Sequence, residues 1–121
     1  MKALYSLAVV AALATGNAYA ACTYPTAPDS IPDGNSATLD QMVAAQKAVR
    51  EFDTAINAYT ACLKLEHDAA LSKGDQLTDD QKKDLERMQV QKHNAAVEAD
   101  EALAARFNDQ LKAFKTKNAK K

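Results

Sequence analysis

The chain has 121 residues, of which 47% are hydrophobic and 26% are charged, and its formal net charge at pH 7 is −1. Lys2 lies in a leader segment that is described next. Without Lys2, the chain has 14 basic and 16 acidic residues. No overall basic field therefore favours nucleic-acid binding. The length is sufficient for one small domain with a thin core.

Residues 1–20 have the organisation of a secretory signal peptide. Lys2 precedes an apolar run, and Ala18 and Ala20 supply the small residues of a cleavage site. The run is too short to cross a bilayer, which takes about 20 residues. We expect cleavage after Ala20 and a mature protein that is periplasmic or secreted, with no membrane span.

Cys22 leaves a minor alternative for the N-terminus, because a lipoprotein signal also ends immediately before a cysteine. Lipidation of Cys22 would tether the protein to a membrane. Tyr19 stands three residues before Cys22, where such signals usually carry leucine. The cleaved, untethered form is therefore favoured.

Residues 21–38 predict an extended arm, because this segment holds three prolines and no helical period. The mature chain has two cysteines, so an oxidising compartment favours a disulfide between Cys22 and Cys62, with an interchain bond as the alternative. An intrachain bond requires the arm to fold back along the helices. Five arm residues would then cover the groove between the helices: Tyr24, Pro25, Pro28, Ile31 and Pro32.

The first helix is predicted over residues 39–73. Thr38 and Gln41 have the spacing of a capping box at its start, and Gly74 is expected to end it in the left-handed conformation. Apolar residues recur at spacings of three and four, which is typical of an amphipathic helix: Met42, Ala45, Val49, Phe52, Ile56, Tyr59 and Leu63.

The second helix is predicted over residues 79–114, after a second capping box at Thr78 and Gln81. Its apolar stripe consists of Leu85, Met88, Ala96, Ala99, Leu103, Phe107, Leu111 and Phe114. A link of about four residues makes consecutive helices fold back on each other. The predicted fold is all-α: a long antiparallel two-helix hairpin with coiled-coil-like packing, and a proline-rich N-terminal arm folded back along it and held by a disulfide. A lysine-rich tail, residues 115–121, follows.

Two resemblances arise from these motifs. The spacing C-x2-P-x2-P-x2-I-P-D-G over residues 22–34, followed by Y-x2-C over residues 59–62, resembles a group of small exported proteobacterial proteins without an assigned activity. The stretch LTDDQ at residues 77–81 is similar to the LTxxQ motif of periplasmic chaperones of the Spy and CpxP type, which are helical hairpins. The first resemblance implies an exported fold, and the second implies a chaperone.

The sequence favours no catalytic, metal or cofactor site. His67 and His93 are predicted to lie roughly 14 Å apart along the hairpin, too far to share one metal ion. A two-helix rod also offers little of the concavity that catalysis requires. The protein is therefore expected not to be an enzyme and to need no cofactor.

The hypothesis for function is a non-enzymatic exported structural or interaction protein of the bacterial cell envelope. Its partner is an unknown protein or a second copy of the chain, and the lysine tail would make weak, salt-dependent contact with the envelope. One alternative is a periplasmic holdase of the Spy and CpxP type, and another is a metal-responsive envelope protein.

Overall fold

The computed structural model describes residues 22–119, which form two helices, α1 (Leu39–Leu71) and α2 (Asp79–Ala119), joined through a short 3-10 turn at Gly74–Gln76. No strand occurs within these residues. The predicted signal peptide, its cleavage site and the last two lysines of the tail lie outside the described part of the chain. The all-helical prediction is confirmed for the described residues.

Helix α1 begins at a capping box. The Thr38 hydroxyl accepts a hydrogen bond from the Gln41 backbone N–H at 3.2 Å, and the Gln41 side chain accepts one from the Thr38 N–H at 2.9 Å. Thr78 and Gln81 make the same pair of bonds at the start of α2, at 3.1 and 2.9 Å. Each helix therefore starts with two of its otherwise unpaired N–H groups satisfied by side chains.

The end of α1 differs from the prediction. The helix ends at Leu71 rather than near residue 73, and its cap residue Ser72 remains right-handed. Gly74 does not adopt a positive φ. The chain instead passes into a right-handed 3-10 turn, in which the Gln76 N–H donates to the Lys73 carbonyl and so satisfies it without a left-handed residue.

Helix α2 is longer than predicted, because it continues through Ala119. Residues 115–119, assigned above to the tail, are therefore helical. The stretch after Phe114 holds no glycine or proline that would end a helix. Lys117 in the last turn complements the helix dipole and donates a hydrogen bond to the Asn35 carbonyl.

The two helices pack against each other as a helical hairpin, and their apolar stripes meet in two adjoining clusters. One cluster joins the start of α1 to the second half of α2 and consists of Met42, Ala45 and Phe107. The other lies nearer the turn and consists of Phe52, Ile56, Tyr59, Leu63, Ala96 and Leu103. Small Ala96 is fully buried, which permits close approach of the helices.

Burial is confined to one half of the hairpin. Every buried hydrophobic residue of the described chain lies either at or before Leu63 or at or after Ala96. We call residues 22–63 and 96–119 the arm half and residues 64–95 the turn half. In the turn half, four large apolar side chains are exposed: Leu65, Leu71, Met88 and Val90.

Candidate interaction surface

The N-terminal arm is bonded to α1 by the predicted disulfide, which is confirmed. Cys22 and Cys62 are joined, with their Cα atoms 5.8 Å apart. Two residues later the Tyr24 ring meets the Tyr59 ring edge-on, with ring centroids 5.2 Å apart and an interplanar angle of 74°. This edge-to-face geometry is the favoured one for aromatic pairs.

Further along the arm, Ile31 packs against both core clusters. Its side chain therefore lies where the two clusters adjoin. Because an isoleucine in this position removes apolar surface of both helices from water, it stabilises their pairing as well as the position of the arm.

The arm then reaches α2 through its backbone. Gly34 is buried, and its N–H donates to the Gln110 side-chain oxygen at 2.9 Å. A Cβ atom at Gly34 would lie 1.9 Å from the Gln110 carbonyl oxygen and 2.8 Å from the Phe114 nitrogen. Only glycine allows the arm backbone to approach α2 this closely.

The five arm residues predicted to cover the groove have different degrees of exposure. Ile31, Pro25, Pro28 and Pro32 are half-buried, whereas Tyr24 keeps 47% of its surface exposed. Sequence reasoning missed the contact of Gly34 with Gln110. A glycine that follows Pro32 and Asp33 is typical of a turn, and it carries no signal of a contact with a residue 76 positions away.

The turn half contains a shallow groove between the helices that the arm does not reach. Glu66 and His67 of α1 line it opposite Met88 and Lys92 of α2, with Leu63, Ala70, Leu85 and Gln89 completing its lining. The lining of the groove therefore combines apolar side chains with the acidic Glu66 and the basic Lys92.

The two histidines do not form a metal site with other ligands. His67 lies in the groove of the turn half and His93 is not among the residues that line it. Within residues 22–119, no group of three or more His, Cys, Asp or Glu side chains is close enough to hold a metal ion.

A carboxylate pair joins the helices in the arm half. Partial burial raises the pKa of Asp100 above its ordinary value, and a hydrogen bond with Asp53 together with the charges of Asp53 and Glu101 raise it further. Asp53 lies on α1, so the pair places like charges across the helix interface. The ionised pair therefore works against packing of the two helices.

In comparisons with known proteins, no family model, no curated protein and no solved structure matches the chain. No helix among residues 22–119 is long and apolar enough to cross a membrane. Its function is therefore inferred from the residues and contacts described above.

Proposed function

We propose that the protein is a non-enzymatic exported structural or interaction protein of the bacterial cell envelope. In this proposal its helices run antiparallel, and the proline-rich arm lies along the groove between them. The disulfide between Cys22 and Cys62 is the observation that carries the proposal. Disulfides persist in oxidising compartments such as the periplasm and are rare in the cytosol. The signal-peptide pattern of residues 1–20 supports the same destination.

An interaction role suits the shape of the hairpin. At about 1.5 Å per residue, α1 with its 33 residues and α2 with its 41 residues are long rods with large surfaces. The turn half exposes Leu65 at 70% and Met88 at 46% of their surfaces. Four of the seven exposed large apolar side chains of the described residues lie in this half, and exposed apolar surface favours contact with another chain, either a different protein or a second copy.

Export and the disulfide are tested by the intact mass of the protein recovered from a bacterial envelope fraction. The full chain is expressed with a C-terminal tag, and the mass is measured with and without reduction and thiol alkylation. We expect a chain that begins at residue 21 and is two hydrogens lighter than its reduced form. An uncleaved chain, or a lipid-sized increment on a chain that begins at Cys22, would contradict the proposal.

The interaction role is tested with a photo-crosslinking amino acid at Met88 in the turn half. The control carries the same amino acid at Glu98, an exposed position of α2 in the arm half. We expect a discrete crosslinked species from Met88 in envelope fractions and none from Glu98. Equal, diffuse crosslinking from both positions would show that the turn half is not a preferred contact surface.

A holdase is the second candidate function, and the exposed apolar side chains of the turn half favour it. Such a chaperone binds unfolded clients through apolar surface. The protein would then delay aggregation of thermally unfolding malate dehydrogenase at near-stoichiometric amounts, and Leu65→Ser with Met88→Ser would abolish the delay. Val43→Ser, which changes an exposed side chain of the arm half, is the matched control. No delay with the unmodified protein would remove this candidate.

We also propose that the lysines near the C-terminus make weak contact with the cell envelope. Lys112, Lys115 and Lys117 are exposed on α2, and clustered lysines are attracted to anionic lipid surfaces. Binding to vesicles that contain anionic lipid should fall steeply between low and physiological salt. Binding that does not respond to salt would contradict an electrostatic contact.

A further inference from the structure

The arm is attached to the hairpin in two different ways along its length. Residues 31–35 are held by the side chain of Ile31, by the buried Gly34 with its hydrogen bond to Gln110, and by the bond from Lys117 to Asn35. Residues 22–30, which we call the strap, make no hydrogen bond to any other described residue. The strap is held by the disulfide and by packing.

The strap covers one apolar strip of α1. Residues 25–29 line a shallow groove together with Ala48, Glu51, Phe52 and Ala55, and Tyr24 packs on Tyr59. With Cys62, the uncharged α1 residues of this set have spacings of four, three, four and three, so they lie on one face of the helix. On this face, the small side chains of alanines alternate with aromatic rings. Extended proline-containing segments bind to aromatic-lined surfaces of this kind.

The strap depends on its disulfide for its position. Its two prolines keep it from forming helix, and most of its side chains are exposed, including Tyr24 at 47%. Ordering such a segment costs conformational entropy for each residue, which a few contacts offset poorly. Once the covalent bond is broken, the strap dissociates and binds again, so that another segment of the same kind can take its place, whereas residues 31–35 keep their own contacts.

The bond can be broken by a dithiol reductant. Cys22 and Cys62 are both partly exposed, so a thiolate can attack one of the two sulfurs and form a mixed disulfide, which its second thiol then resolves. The dithiol donates two electrons and two protons and becomes a disulfide. The S–S bond of this protein is replaced by two thiols, one on the strap and one on α1.

We propose that the strip of α1 beneath the strap is a binding surface for extended proline-containing chain segments, closed by the strap while Cys22 and Cys62 are bonded and opened when they are reduced. The strap is the built-in occupant that shows what the strip accepts. The proposal deepens the proposed interaction role and rests on it, since it names the surface and the chemistry of the partner segment.

The test measures binding of a fluorescent peptide, TYPTAPDS, which has the sequence of residues 23–30. Fluorescence anisotropy compares the oxidised protein, the protein reduced with dithiothreitol, and the variant that combines Cys22→Ser with Cys62→Ser. We expect the last two to bind at least tenfold more tightly than the oxidised protein. A control peptide with the tyrosine and both prolines replaced by serine should not bind.

Two further variants locate the peptide. In the Cys→Ser background, Ala55→Asp should weaken binding at least tenfold, because it places a charge in the strip. Val43→Asp, on an exposed part of α1 outside the strip, should leave the affinity unchanged. Equal affinities for oxidised and reduced protein, or equal losses in both variants, would overturn the proposal.

Backbone NMR relaxation tests the opening separately. Reduction should lower the order parameters of residues 23–30 to below about 0.6, while the Gly34 amide, bonded to Gln110, stays ordered. Loss of order in both segments, in neither, or across both helices would overturn the proposal. If the peptide fails to bind but the protein is exported with its disulfide, the proposal for this surface is wrong and the proposed interaction role is unaffected. If the protein is not exported, the proposed function itself is wrong.

Discussion

The arm half and the turn half are built from the same two helices, yet side chains become fully buried only in the arm half. There, Ile56 and Leu103 are 2% and 1% exposed. In the turn half, Met88 belongs to the same apolar stripe and is 46% exposed. In the arm half, the arm packs on the two helices as a third layer. Among residues 22–119, no third segment packs on the turn half.

This difference shows what a pair of helices can bury alone. Two rods contact each other along one line, and the side chains that flank this line stay open to water on both sides. In the arm half, Ile31 and Gly34 close one of these sides. Burial therefore follows both the presence of the arm and the composition of the stripe, which in the turn half includes Glu66, His67 and Lys92.

The largest expected contrast comes from truncating one apolar side chain in each half. Leu103→Ala should lower the free energy of unfolding by about 2–5 kcal/mol, because it leaves a cavity in the packed arm half. Met88→Ala should cost about 1 kcal/mol or less, since much of that side chain is already in water. Urea denaturation followed by circular dichroism measures both. Equal losses would mean that the turn half is packed as tightly as the arm half.

A pair of glycine substitutions examines the same contrast in the backbone. Gly34→Ala should destabilise the protein by about 1–3 kcal/mol, because the new methyl group meets the α2 backbone. Gly74→Ala should be neutral or stabilise by up to about 1 kcal/mol, since nothing lies within 4 Å of its Cβ position and its φ is not positive. Thermal denaturation of both variants decides the point, and a stable Gly34→Ala protein would contradict the close approach of the arm.

The two capping boxes should respond differently because they start helices in different halves. Thr38→Ala and Thr78→Ala each remove one cap, a change of about 1 kcal/mol. We expect Thr38→Ala to lower the melting temperature, because it begins the helix of the packed half. Thr78→Ala should chiefly raise amide exchange over the first turns of α2, by about fivefold. Identical melting temperatures and exchange maps would show that the hairpin opens as one unit.

The smallest effect concerns the carboxylate pair of the arm half. The pKa of Asp100 is raised by partial burial and by Asp53 and Glu101, so its ionised form destabilises the folded state. Asp100→Asn should stabilise the protein at pH 7 by about 0.5 kcal/mol or less, since the site is partly solvated. The gain should vanish as the pH falls through the raised pKa to below about 3.9, the unfolded value.

The matched control for this substitution is Asp109→Asn, an exposed position on the same helix. It removes the same charge from α2, outside the pair of Asp53 and Asp100. Melting temperatures of both variants are compared from pH 7 to pH 3. A gain for Asp100→Asn that persists at pH 3, or that the control reproduces, would contradict repulsion as its cause.

Much of the secondary structure was accessible from the sequence because its signals are local. The spacing of apolar residues predicted both helices, and two cysteines in a chain expected to be exported predicted the disulfide that joins Cys22 to Cys62. Such signals depend on residues three or four positions apart or on simple counting.

The features that sequence reasoning missed depend on contacts between distant segments or on competition at helix ends. Nothing near Gly34 indicates the Gln110 oxygen, and nothing near Asp53 indicates Asp100. Gly74 was predicted to end α1, but the N–H groups of Ser72 and Lys73 donate to the Asp68 and Ala70 carbonyls with no left-handed residue. Periodicity placed Met88 on the inner stripe correctly, yet it carries no information on whether a third layer will cover that position.

The long span of the arm contacts also determines the order in which the chain folds. The helices can zip together from their short turn, closing only small loops, whereas the disulfide spans 40 residues and the Gly34–Gln110 bond spans 76. Closing long loops early is entropically unfavourable, and contacts of this separation slow folding. The hairpin therefore forms first. The arm then docks on it and brings the two thiols together, so that the disulfide forms last.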